Sequence, residues 1–169
     1  QVYESYNIAS LWQLPVIFVI ENNKYGMGTS VNRSSAGDNL SDRGKAYGIK
    51  SEMVDGMDII AVRESAIKAI EYCRLGKGPY ILEMKTYRYR GHSMSDPAKY
   101  RTRDEVEQIR KTSDPIENIK VLLNKMGVVE KVLKDIDVEI KSIIADAAKF
   151  AQDSPEPSPS ELYTDITIN

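Results

Sequence analysis

Pro15-Val16-Ile17-Phe18-Val19-Ile20-Glu21-Asn22-Asn23 is the stretch on which the fold turns. Val16 to Ile20 are all β-branched or aromatic, with no alternation of polar and apolar positions. The run therefore reads as a strand covered on both faces inside a parallel sheet. Pro15 opens it, and the polar Glu21-Asn22-Asn23 end it abruptly. Before it, Val2, Tyr6, Ala9 and Leu11-Trp12 follow an approximate helical period with no strong cap. After it, Thr29 to Gly48 consists largely of Ser, Asn, Asp, Gly and Arg, which predicts a long surface loop.

Further along, Val54-Asp55-Gly56-Met57 reads as a turn into a strand over Asp58 to Val62. Ala66, Ile67, Ala69, Ile70 and Cys73 then give a helix one apolar face, and Gly76 and Gly78 mark its end. Pro79 to Tyr87 is the next strand, with Tyr80, Ile81, Leu82 and Met84 as its apolar content. This order predicts an α/β fold, a partial doubly wound parallel sheet with flanking helices. From Asp104 the pattern is helical: Asp104 to Lys111, then a helix from Asp114-Pro115 to Met126, stopped by Gly127. Val129, Val132, Leu133, Ile136, Ile140, Ile143, Ile144, Ala147 and Phe150 trace a long amphipathic stripe, and the Pro-rich segment after Gln152 predicts an extended tail. The expected organisation is an α/β layer over 1–103, a helical C-terminal region over 104–152 and a tail over 153–169.

Composition limits the function classes. The chain has 169 residues, 41% of them apolar, with one Cys and a net charge of −2. A chain of this length buries roughly 70% of its unfolded surface and needs neither disulfide nor metal to build a core. The slight negative charge removes the general case for nucleic acid. The longest strongly apolar run, Leu14 to Ile20, falls far short of the roughly twenty residues of a membrane span. No basic region precedes that run, so it does not read as a signal peptide, and Gln1 is not an initiator Met. The sequence reads as a fragment whose beginning is missing.

Charge is unevenly placed. Between Glu83 and Arg103 stand Lys85, Arg88, Arg90, Lys99, Arg101 and Arg103 against only Glu83 and Asp96. A basic patch after a strand is where an open α/β sheet receives an anionic ligand. A solvated loop pairing with acidic helices fits the charges equally well. His92, the only histidine, lies in the Gly-, Ser- and Pro-containing loop Gly91-His92-Ser93-Met94-Ser95-Asp96-Pro97, so any histidine acid-base or phosphate-contacting role falls to it. No Cys cluster, second His or HExxH spacing accompanies it, which excludes a zinc site. The other candidate, Glu21-Asn22-Asn23-Lys24-Tyr25-Gly26-Met27-Gly28-Thr29-Ser30, puts amide and main-chain oxygens at the sheet edge. Oxygens of that kind suit a hard cation such as magnesium. An Asn pair at a strand end is more often simply a turn.

These two motifs, with Gln1-Val2-Tyr3-Glu4-Ser5-Tyr6-Asn7, Leu14 to Val19, Val54 to Asp58 and Thr86-Tyr87-Arg88-Tyr89-Arg90 leading into Gly91, resemble the alpha subunits of the thiamine-diphosphate-dependent first component of pyruvate dehydrogenase complexes. The resemblance implies the thiamine-diphosphate-binding fold. Its cofactor motif starts upstream with Gly-Asp-Gly and ends with the Asn pair. It implies that Asn23 gives a side-chain oxygen and Tyr25 a main-chain carbonyl to magnesium, and that the cofactor diphosphate completes the shell. It further implies that His92 sits on a loop touching the cofactor and that Arg88 holds this loop. Ser93 and Ser30 fall where eukaryotic members carry regulatory serines, while Lys99 and Arg90 depart from that pattern and favour a bacterial lineage. The implied chemistry is oxidative decarboxylation of pyruvate with transfer to a lipoyl acyltransferase component. The implied partner is a beta subunit in a two-alpha two-beta heterotetramer, in the cytoplasm if bacterial or the mitochondrial matrix if eukaryotic. An alpha subunit of a related 2-oxoacid or acetoin dehydrogenase, or a noncatalytic interaction module, is the alternative.

Overall fold

The computed structural model describes residues 1–165, which divide into two compact units at the boundary between Ile119 and Lys120. The first unit opens with helix α1 (Val2–Leu11) and strand β1 (Ile17–Asn22). A two-residue hairpin follows, β2 (Tyr25–Gly26) antiparallel to β3 (Thr29–Ser30). Next come the short helix α2 (Val31–Ser34), a 3-10 helix Leu40–Tyr47, β4 (Lys50–Asp55), α3 (Ile59–Arg74), β5 (Tyr80–Lys85) and α4 (Arg103–Ser113). Helix α5 (Pro115–Lys125) carries the chain into the second unit, which holds α6 (Glu130–Asp153) and a 3-10 helix Pro159–Tyr163.

The three main strands form a parallel sheet in the order β1-β5-β4, so the last strand in sequence is the central one. Alternation along β5 sorts the core. Tyr80 and Leu82 join Val54, Ala69 and Cys73 under α3, while Ile81 joins Tyr6 of α1 and Ile49 on the opposite face. Both faces of the central strand are thus covered, as a parallel sheet requires. Cys73 is buried in the first cluster, with its Sγ 3.6 Å from the Val16 carbonyl.

Several expectations need correction. A parallel strand forms as expected, but it covers Ile17–Asn22, because Glu21 and Asn22, expected to end it, pair with Met84 and Lys85; β1 stands at the sheet edge in these residues and is only half-buried, with Val19 61% exposed. The central, doubly covered strand is β5. Asp58 to Val62 is not a strand: it starts α3, because the Asp58 carboxylate accepts from the backbone N–H groups of Ile60 and Ala61 at 2.9 and 3.1 Å and caps the helix. The strand precedes the Asp55-Gly56-Met57 turn rather than following it. Nor is Thr29 to Gly48 all surface loop. Its 3-10 helix docks on β5 through buried Ser41 and Gly44, and a Cβ at Gly44 would stand 2.2 Å from Ile81 Cδ1, so any larger residue there would displace that core side chain. Within the stretch expected to be extended, Pro159–Tyr163 is a 3-10 helix, and residues 166–169 lie outside the described part.

In the second unit α6 carries Val132, Ile136, Ile140, Ile143, Ile144 and Phe150 exposed along its length. No helix among the described residues is long and apolar enough to cross a membrane.

Candidate functional site

The C-terminal ends of β1 and β5 build one rim. Below it, Asn22 is buried and donates through Nδ2 to Glu83 Oε1 at 2.8 Å, while the Ser41 N–H donates to Glu83 Oε2 at 2.9 Å. Asn22 Oδ1 accepts from the Lys24 N–H at 3.2 Å, which closes a tight turn with Lys24 at φ 76°. Lys24 is thus a non-glycine residue in the left-handed region, held there by the side chain two positions before it.

That turn carries Asn23 and Tyr25. The Asn23 side-chain oxygen lies 3.0 Å from the Tyr25 carbonyl oxygen, and its amide nitrogen lies 3.1 Å from Arg88 Nη2. A half-turn of the amide replaces the oxygen pair by an N–H donation to Tyr25 and lets Arg88 donate to the Asn23 oxygen. The turned amide satisfies both neighbours, so the placing of the Asn23 oxygen does not by itself call for a cation. Neighbouring ligands at right angles around magnesium, each at about 2.1 Å, stand about 3.0 Å apart. A hard cation would suit this spacing only with the Asn23 oxygen facing the Tyr25 carbonyl, whereas the turned amide, bonded to Tyr25 and Arg88, needs none. Among the described residues no group of three His, Cys, Asp or Glu could hold a metal.

The loop after β5 comes to the same place. Arg88 Nη1 is 3.1 Å from His92 Nδ1. A guanidinium only donates, so this contact is a hydrogen bond when Nδ1 carries the lone pair, the tautomer with its proton on Nε2. Arg101 donates to the carbonyls of Arg88, Tyr89 (3.0 Å) and Arg90 (2.8 Å) and lies over the rings of Tyr25, Tyr87 and Tyr100. Asp96 closes the loop tip. It accepts from the His92 N–H at 2.7 Å, the Ala98 N–H at 2.8 Å and the Tyr100 hydroxyl at 2.9 Å. The His92 and then the Ala98 N–H donations hold its carboxyl below the usual range. Gly91 is required here, since a Cβ would stand 2.6 Å from the Asp96 carbonyl oxygen. At the loop base, burial and then donation to Glu105 (2.8 Å) push the Tyr87 hydroxyl up to about 12. A cavity of about 260 Å³ opens between Met27, Gly28, His92, Ser93, Asp96 and Tyr100.

All four residues singled out in the sequence, Asn23, Tyr25, Arg88 and His92, therefore meet at one rim, although the two motifs lie far apart along the chain. Sequence reasoning missed Glu83 and the anchors Arg101 and Asp96. The signal for Glu83 was present: a carboxylate inside the apolar run Tyr80 to Met84 marks a buried polar contact.

Residues 1–160 match the family described as Dehydrogenase E1 component, and the chain belongs to that family. Among curated proteins it is 59% identical over 169 residues to the pyruvate dehydrogenase E1 component subunit alpha of Rhizobium meliloti, covering 99% of this chain and 49% of that protein. It is 54% identical to the subunit of the same name from Zymomonas mobilis, covering 99% of this chain and 48% of that protein. The mitochondrial somatic form of that subunit from Homo sapiens is 52% identical, covering 96% of this chain and 42% of that protein. The chain spans about half the length of the curated relatives it matches.

Proposed function

We propose that this chain is part of the alpha subunit of a pyruvate dehydrogenase, which decarboxylates pyruvate oxidatively and passes the acetyl unit to lipoyl groups of an acyltransferase component. A beta subunit completes the active site in a two-alpha two-beta assembly. Residues 1–103 are then the C-terminal part of a thiamine-diphosphate-binding domain, 104–152 its helical C-terminal region and 153–169 a tail. The observation that carries this reading is the convergence of the Asn23 side chain, the Tyr25 carbonyl, Arg88 and His92 at one rim. The names of the relatives support pyruvate as the substrate.

Asn23 would hold magnesium through its side-chain oxygen and Tyr25 through its carbonyl, with a carboxylate from another segment and the diphosphate of the cofactor as further ligands. Thiamine diphosphate, when bound, supplies the carbanion and the electron sink. The work of this chain is to bind and orient. Arg88 offers a fixed positive charge at the rim, and in the tautomer whose Nδ1 accepts from it, His92 Nε2 is left as a donor for an anionic group. The His92 loop, tied down by Arg101 and Asp96, shields the site from water.

The test is to assemble the full-length alpha subunit with its beta subunit and follow magnesium-dependent thiamine diphosphate binding and pyruvate-dependent acetylation of a lipoyl domain. Both are expected, and both fall in Asn23→Ala and His92→Ala. An assembly that binds the cofactor but acts only on another 2-oxoacid or acetoin would replace the substrate. One that never binds it would leave a docking module.

A further inference from the structure

Glu83 is fully buried in the central strand, yet among the described residues no ion pair reaches its carboxylate. Its two oxygens are used instead by the Asn22 amide and the Ser41 N–H. Enclosing a carboxylate in this way is unfavourable, and an apolar residue would hold a strand between two covered faces without that cost. What the carboxylate supplies is direction. Two backbone donors, Lys24 N–H and Ser41 N–H, stand at the ends of a three-bond chain whose middle members are Asn22 and Glu83. Backbone donors cannot reverse. Glu83, which only accepts when ionised, therefore forces Asn22 to give its nitrogen inward and its oxygen to Lys24.

We propose that Glu83 is a positioning residue for the cation and cofactor site: through Asn22 it fixes the Lys24 turn on which the Asn23 and Tyr25 oxygens converge, and through Ser41 it ties the 3-10 helix Leu40–Tyr47 to the same point. This rests on the reading of Asn23 and Tyr25 as cation ligands.

The polarity of the chain makes the inference testable by exchange of roles. In Glu83→Gln the new amide sets an N–H against either Ser41 or Asn22, and if Asn22 turns to accept, its own nitrogen meets the Lys24 N–H. In Asn22→Asp two carboxylates face each other. The double variant Asn22→Asp with Glu83→Gln satisfies every member again. The amide introduced at position 83 accepts from Ser41 and donates to the carboxylate introduced at position 22. That carboxylate accepts from Lys24 as well, and a single negative charge remains.

The experiment uses the full-length alpha subunit assembled with its beta subunit. Calorimetry reads thiamine diphosphate binding at fixed magnesium, and amide hydrogen exchange over residues 22–26 without cofactor reads the turn. Each single variant is expected to bind at least about tenfold more weakly, the usual scale for removing a partner that orients a metal ligand. Each should also exchange faster at Lys24, and the double variant should recover to within a few-fold of wild type in both. Single variants with wild-type binding and exchange, or a double variant no better than the singles, overturn the proposal. If a single variant fails to assemble, the double decides: assembly with restored binding supports the proposal and failure overturns it. Wild-type assembly without magnesium-dependent binding overturns the ligand assignment itself and the inference with it.

Discussion

Asn22 and Asn23 are consecutive amides with opposite surroundings. Asn22, at the base of the rim, is buried, and its oxygen and nitrogen are both engaged, by Lys24 and Glu83. Asn23, at the lip, is half-buried and lies between the Tyr25 carbonyl and Arg88, beside an exposed His92. The base continues into a close-packed core, with Ile81 fully buried on the same face as Glu83, whereas the lip rests on loops held by single residues such as Arg101 and Asp96. Polar groups that hold a fold close on one another in the interior, whereas those at a rim stay within reach of solvent. One strand end contains both kinds, one residue apart.

The comparison breaks first, if it is wrong, at the base. Ile81→Ala removes a fully buried side chain against Tyr6 and Ile49 and is expected to cost about 2–5 kcal/mol in denaturant unfolding. A loss below about 1 kcal/mol would contradict the packing described. At the lip, Asn23→Ala should weaken magnesium-dependent cofactor binding about 10–100-fold in the assembled enzyme while leaving the melting profile in place. Asn22→Ala should divide the other way, with a smaller loss of affinity and a stability loss of about 1–3 kcal/mol, because Glu83 is left buried with one donor fewer. Equal effects of the two alanines on binding and melting would erase the distinction.

His92→Ala sharpens it further. Removing an exposed loop side chain should change stability by less than about 0.5 kcal/mol but lower turnover about tenfold or more, read as lipoyl acetylation against thermal melting. The smallest effect is alkaline. Tyr87 in the folded chain ionises near 12, above the value of about 10 for an unfolded tyrosine. Its contribution is therefore whole below pH about 10 and is lost as pH rises through about 12. Melts should decline across that window, and Tyr87→Phe should decline less. Tyr80, in the core, is also pushed up to about 12, by burial and then by donation to Glu52. Tyr80→Phe thus provides the core counterpart of the same measurement.

What was legible in the sequence was whatever acts over short range. The apolar runs of β1 and β5, the stripe of α3 and the stop at Gly127 follow from local period and punctuation. Ile59-Ile60-Ala61-Val62 misled because an apolar run of that length suits a strand or a first helical turn, and the Asp58 cap decides between them. Residues 29–48 misled for a different reason. The burial of Ser41 and Gly44 is imposed by Ile81 and Glu83, far along the chain, and nothing in the local composition reports it. The four candidate residues were singled out from their motifs and the resemblance these carry, and the structure brings them to one rim. The supports beneath them were not, because a motif names the groups that face a ligand and is silent about those that face the core.

Cys73 gives the central layer an unplanned property. It is the only thiol in the sequence, it is closed between α3 and the sheet, and burial raises its pKa and so keeps it from the reactive thiolate form. A thiol reagent can reach it only when α3 lifts away. Its labelling rate in the native state therefore reads the opening equilibrium of that layer alone, wherever reclosing outruns the chemistry. The chain thus carries its own stopwatch for separation of the helix from the strands, placed in the core rather than at the rim where Asn23 and His92 stand.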